Sequence, residues 1–245
     1  LFCKNNFFLV EFIFYTSLTL FLDLNLFTEF ESPMFPIDEG YIKYRIHWQS
    51  AAPLTASFSP QIDELNVWRA EMYRRNWIGY APKLKVGFGN ISAKVFSKSG
   101  KFIISGTQTG QIPRLNFSHY SLVTDYNVDS NELWCRGGTK ASSESLTHAA
   151  VYELSEDYQS VIYIHCKEMW LKLLHEIPTT AVDVSYGTPQ MAYEIQHLYR
   201  ETNLAQSKIV AMAGHEDGII SFGASLQEAA QVLFDWSERT KSILL

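Results

Sequence analysis

The chain has 245 residues, 47% hydrophobic and 19% charged, which suits one α/β domain with a sizeable core and gives no sign of disorder. A net charge of −6 with both signs scattered argues against sequence-independent nucleic-acid binding, which needs clustered Lys and Arg to release phosphate counterions. Three cysteines, Cys3, Cys135 and Cys166, form no C-x-x-C pair, so reduced thiols and a cytoplasmic protein are expected.

Residues 1–33 differ from the rest. Eight of the 16 phenylalanines fall here, and no methionine occurs before Met34. As a signal peptide or membrane anchor the stretch is poor: Glu11 interrupts it, the apolar run over 12–22 is too short to span a bilayer, and only Lys4 precedes it. The expectation is an upstream extension with the natural start at Met34, followed by a single domain over 34–245 and no membrane partner.

Beyond Met34, Ser59-Pro60 opens a helix that carries Ile62, Leu65, Trp68, Met72 and Tyr73 at helical spacing to about Trp77. Gly79 to Pro82 breaks it. A strand is expected over 85–95, a second over 102–105 leading into the glycine turn G-T-Q-T-G at 106–110, and a pair over 122–126 and 132–136 around Asp129-Ser130-Asn131. Ser142 and Ser143 read as caps of a helix carrying Leu146, Ala149, Ala150 and Leu154. Its free N–H groups beside two hydroxyls would make an anion site, with Glu144 and His148 on one face. Ser155 to Asp157 ends this helix, and a β-branched strand follows over 161–165. Alternation along that strand would point Tyr163, His165 and Lys167 one way and Ile164 and Cys166 the other. Helices over 167–175, 189–201 and 226–239, with strands over 209–213 and 219–222, complete the chain. Strands outnumber strict β-α-β alternation, so a mixed or antiparallel sheet with helices on its faces is expected.

Several enzyme motifs are absent. Gly87-Phe88-Gly89 lacks the third glycine of a dinucleotide fingerprint, and there is no P-loop, G-x-S-x-G or H-E-x-x-H. Taken singly, Glu144, Tyr163, His165 and Lys167 each have an ordinary structural explanation. Their combination carries the functional case.

Six landmarks recur in order: G-N-I-S at 89–92, Thr109-Gly110 followed by Ile112-Pro113, S-S-E-x-x-x-H at 142–148, the strand ending in His165, Y-G-T-P at 186–189, and G-H-E-D-G followed by F-G-A-S-L-Q-E-A-A. Together they resemble the class II aldolase/adducin family over about residues 66–239. The resemblance implies a three-layer α/β/α domain around a mainly antiparallel mixed sheet. It also implies a metal-dependent aldolase that cleaves a phosphorylated or carboxylated sugar or keto substrate through an enediolate. Dehydration, epimerisation and a non-catalytic, adducin-like binding role are the alternatives, because fold does not choose among them.

By motif, Glu144 matches the acid/base, and His165 and His215 match ligands of a divalent metal, usually zinc. Gly89, Asn90, Thr109, Gly110, Ser142 and Ser143 match the phosphate pocket, with Lys167 and His148 as further candidates. The family's strand carries H-x-H, and here Tyr163 stands where the first imidazole belongs. Zinc would then fall to His165, His215 and Glu144. The resemblance also implies a homo-oligomer, commonly a tetramer, for which Trp236 and the last helix are candidates.

Overall fold

Alternating side chains on one central strand sort the core into two apolar layers. In the computed structural model, which describes residues 40–54, 56–95 and 99–242, that strand is β8 (Ser160–His165). Ile162 and Ile164 face one layer, whereas Val161 and Tyr163 face the other. The sheet around β8 has eight strands: β1 (Arg45–Ser50), β4 (Asn90–Lys94), β5 (Phe102–Ser105), β6 (Tyr120–Asn127), β7 (Glu132–Gly137), β8, β9 (Ile209–Ala211) and β10 (Gly218–Gly223). Their spatial order is β1-β7-β6-β5-β4-β8-β10-β9, and every pair is antiparallel except β1 with β7. A separate hairpin pairs β2 (Gly79–Ala81) with β3 (Val86–Phe88).

Helices cover both faces, as expected of a three-layer α/β/α domain. Ile62, Leu65 and Met72 of α1 (Ser59–Arg74), Met169 and Leu173 of α3 (Lys167–Leu173), and Leu226, Ala229 and Leu233 of α6 (Leu226–Ser242) pack with Ile162 and Ile164. On the opposite face, Leu146 and Ala149 of α2 (Ser145–Leu154) and Met191, Ile195 and Leu198 of α4 (Pro189–Glu201) pack with Val161 and Tyr163. A short α5 (Leu204–Ser207) leads into β9. The described residues belong to one compact unit, Ile37–Leu245. Among them no helix is long and apolar enough to cross a membrane. The Phe-rich segment and Met34 lie outside the described residues.

Three local expectations are corrected. The strand expected over 85–95 is two strands, β3 and β4, because Gly89 between them takes a positive φ of 73°. The helix expected to run to about Trp77 already ends at Arg74, and a short strand, β2, begins at Gly79. Helix α2 starts at Ser145, not at the serines: the Ser142 carbonyl accepts from Ser145 N at 3.0 Å and from the Tyr44 hydroxyl at 2.6 Å, so Ser142 and Ser143 form a turn ahead of the helix. Strand β1 has no counterpart among the expected elements. It is an edge strand of mostly exposed or half-buried residues, which lacks the apolar signal of the inner strands.

Candidate functional site: a glycine- and hydroxyl-lined cleft beside a tyrosine and two histidines

The six residues expected to hold a phosphate come together. Gly89, Asn90, Thr109, Gly110, Ser142 and Ser143 line one narrow cleft, and Tyr163 lines it too. Close contacts at two glycines explain the composition. A Cβ at Gly110 would lie 2.1 Å from the Gly79 carbonyl oxygen, and one at Gly89 would lie 2.7 Å from Ile78 Cγ1. Asn90 begins β4; its Nδ2 donates to Ser142 Oγ at 2.8 Å, tying the sheet to the turn before α2. Asn90 Oδ1 is buried with no hydrogen-bond partner among the described residues.

Behind the Thr109-Gly110 turn lies a cation that the sequence does not announce. Arg69 of α1 is 1% exposed. Its guanidinium donates to the carbonyls of Thr109 at 2.9 Å, Gly110 at 3.4 Å and Pro113 at 3.3 Å. Burial lowers its pKa, yet a guanidinium stays protonated in a protein, so positive charge stands behind the pocket wall. An arginine within an amphipathic helix gives no sequence signal for this, because its usual place is the solvated face.

Next to the pocket, strand alternation and a loop assemble the cluster. Tyr163 (1% exposed) and His165 are two apart on β8, and His215 enters from the turn before β10. Tyr163 Oη lies 2.5 Å from His165 Nε2 and 3.2 Å from His215 Nδ1. Glu144, 1% exposed at the start of α2, accepts from Thr147 Oγ1 at 3.0 Å through Oε2, while its Oε1 is 3.7 Å from His215 Nδ1. The ring of Tyr186, from the Y-G-T-P turn, stacks on His215 with centroids 4.4 Å apart, and Lys43 Nζ stands 3.8 Å from the centroid of the Tyr186 ring. Lys43 and Tyr186 are additions to the expected site residues. The Tyr186 motif is visible in the sequence, but Lys43 precedes every landmark.

Two of the sequence candidates fall elsewhere. Lys167 is the first residue of α3, not a continuation of β8, because the strand ends at His165. It pairs with Glu216 at 2.6 Å, both side chains more than 60% exposed. His148 shares the α2 turn with Glu144 only through the backbone, its N–H donating to the Glu144 carbonyl at 3.0 Å. Its imidazole is fully buried, with Nδ1 2.7 Å from Ser92 Oγ, which in turn lies 2.6 Å from the Tyr152 hydroxyl. Desolvation pushes its pKa down to about 3, so it is a neutral core histidine.

Three comparisons bear on this arrangement. The sequence profile of the Class II Aldolase and Adducin N-terminal domain matches residues 64–241, most of the chain. The chain therefore belongs to the class II aldolase/adducin family. Among solved structures it is similar to a sugar-phosphate aldolase from Thermotoga maritima (13% identity, 77% of this chain and 95% of that one, TM-score 0.60). It is also similar to l-fuculose-1-phosphate aldolase from Thermus thermophilus (17% identity, 76% and 93%, TM-score 0.55) and to YgbL from Escherichia coli (18% identity, 77% and 90%, TM-score 0.57). At these identities the likeness shows the fold. No curated protein matches the chain.

Enzymes of the family are generally metal-dependent, so the donor set can be tested for fit. Two ligands on one tetrahedral zinc, bound at about 2.0–2.1 Å, stand about 3.3 Å apart. The 2.5 Å between Tyr163 Oη and His165 Nε2 is too short for that and is the length of a hydrogen bond. Among the described residues no three His, Cys, Asp or Glu side chains gather in ligating geometry. As arranged, the site does not fit a resident tetrahedral zinc ion.

Proposed function

We propose that the chain is a lyase that cleaves a small phosphorylated or carboxylated sugar or keto compound by a retro-aldol step, with Glu144 moving the proton. The observation that carries this reading is the position of Glu144: a carboxylate 1% exposed, 3.7 Å from His215, beside a cleft built from the six anion-binding candidates. The anion rests among Asn90, Ser142, Ser143 and the Thr109-Gly110 turn, where hydroxyls, an amide and close backbone receive it and Arg69 adds charge from behind. A hydroxyl proton leaves to a base, the C–C bond breaks, and its electron pair forms an enediolate whose carbon is later reprotonated. Burial and a fixed partner at Thr147 keep the Glu144 carboxylate oriented for one of these transfers. The family's l-fuculose-1-phosphate and sugar-phosphate aldolases make phosphorylated sugars the class to screen first. The same carboxylate supports dehydration or epimerisation of such substrates.

A second reading has its own support. Tyr163 in place of a ligand imidazole favours an adducin-like binding protein that holds an anion without turnover. Screening sugar phosphates for aldehyde release, with Glu144→Gln as control, separates the two. Turnover abolished by Glu144→Gln, with the circular dichroism spectrum unchanged, supports the lyase. Full activity in that variant would remove Glu144 as the acid/base, and phosphate binding without any turnover would favour the binding protein. A homotetramer is part of the proposal by family resemblance, and sedimentation equilibrium checks it.

A further inference from the structure

The geometry points to a hydroxyl in place of a metal: we infer that the Tyr163 side chain occupies the position of the family's divalent ion, leaving a hydrogen-bonded triad of Tyr163, His165 and His215 with no resident metal. It deepens the functional reading above by naming what stands at the family's metal position, a phenol oxygen between two imidazoles instead of an ion.

A phenol extends its oxygen beyond the ring, about as far from the ring's attachment point as an ion bound to an imidazole nitrogen would stand. A tyrosine at a ligand position therefore places its own oxygen where the ion would be. Tyr163 Oη does meet both remaining imidazoles, 2.5 Å from His165 Nε2 and 3.2 Å from His215 Nδ1. The phenol carries one proton, and the shorter contact makes His165 its nearest partner, while its oxygen stands almost equally far from both ring nitrogens of His215, 3.2 Å from Nδ1 and 3.3 Å from Nε2. The surroundings accommodate this ring. Gly218, which pairs with His165 on the neighbouring strand, leaves room for it: a Cβ there would come within 3.2 Å of Tyr163 Oη and 3.3 Å of its Cε2. The two imidazoles pack against aromatic neighbours, Tyr186 stacked on His215 and Phe88 with its ring centroid 5.1 Å from that of His165.

The test is metal content and zinc affinity, measured on the full chain purified without chelator or metal-affinity tag. Elemental analysis of the wild-type chain should find no stoichiometric divalent metal, and zinc titration by calorimetry should give the same isotherm for wild type and His215→Ala. Tyr163→His should bind zinc at least about tenfold more tightly than wild type, and this gain should vanish in the Tyr163→His/His215→Ala double variant. Near-stoichiometric metal in the wild-type chain that is lost in His215→Ala overturns the inference, and this result does not depend on whether Tyr163→His folds. A folded Tyr163→His variant with unchanged zinc affinity overturns it as well, since the strand would then not face a metal position. The functional reading fails separately: a metal-free chain without lyase activity leaves the triad standing and removes the lyase, whereas a zinc-containing lyase does the reverse.

Discussion

His148 gives the most quantitative prediction. It is fully buried, faces Ser92 and Tyr152, and is held neutral with its pKa lowered to about 3 by desolvation. In the unfolded chain its pKa is about 6.5. Below pH 6.5 the unfolded state therefore binds a proton that the folded state refuses, so stability falls as pH drops from 6.5 towards 3 and is unaffected by this group above 6.5. Each pH unit well below 6.5 is worth about 1.4 kcal/mol, and because the unfolded imidazole is half protonated at pH 6.5, the loss between pH 6.5 and 4.5 is about 2 kcal/mol. His148→Asn keeps a polar atom near the position of Nδ1 for Ser92 and removes the titration. It costs stability at pH 7.5 through the space it leaves, but that cost does not change with pH. Urea unfolding of both proteins from pH 7.5 to 4.5, followed by tryptophan fluorescence, gives the stability difference at each pH, in which the carboxylates common to both cancel. The wild-type advantage should shrink by about 2 kcal/mol from pH 6.5 to 4.5. Parallel profiles would refute the buried neutral imidazole and, with it, the packing of α2 against β4.

Arg69→Met removes the donor from the carbonyls of Thr109, Gly110 and Pro113 and should destabilise the fold by about 3 kcal/mol, as judged by urea unfolding. It should also weaken binding of inorganic phosphate in calorimetry, and a phosphate affinity equal to wild type would separate Arg69 from the pocket. Gly110→Ala forces a Cβ against the Gly79 carbonyl, so phosphate binding should be lost while the far-UV spectrum is retained. Thr188→Ala removes the hydroxyl that accepts from Met191 N and should cost about 1 kcal/mol of stability through the α4 cap, measured as a lower urea midpoint. Lys167→Ala should leave stability within about 0.5 kcal/mol and ligand affinity unchanged, since the pair with Glu216 is exposed to solvent. A large affinity loss there would return Lys167 to the site.

Much of the fold was legible because its signals are local. The apolar alternation of Val161 to Ile164 marks a strand buried on both faces, and Ser59-Pro60 and Thr188-Pro189 mark helix starts, all of which the structure contains. Edge strand β1 and the β2–β3 hairpin were not legible, since short or exposed strands are held by pairing with distant partners. Arg45 faces Glu132 across 87 positions of sequence, and nothing local to either residue announces it.

The pocket divides along the same line. By itself the sequence determined which residue types gather: small residues and hydroxyls at 89–90, 109–110 and 142–143, Glu144 after them, and Tyr163 and His165 on the strand that follows. Order along the chain and the backbone demands of glycine are written in the residues themselves. Only the tertiary structure decided which side chains meet. It turned His148 into the core and Lys167 out to Glu216, brought Arg69 behind the loop, and seated the Tyr163 hydroxyl between two imidazoles. The reason is that a side chain's partner is set by packing across the sheet, where burial and hydrogen-bond satisfaction act on residues far apart in the chain.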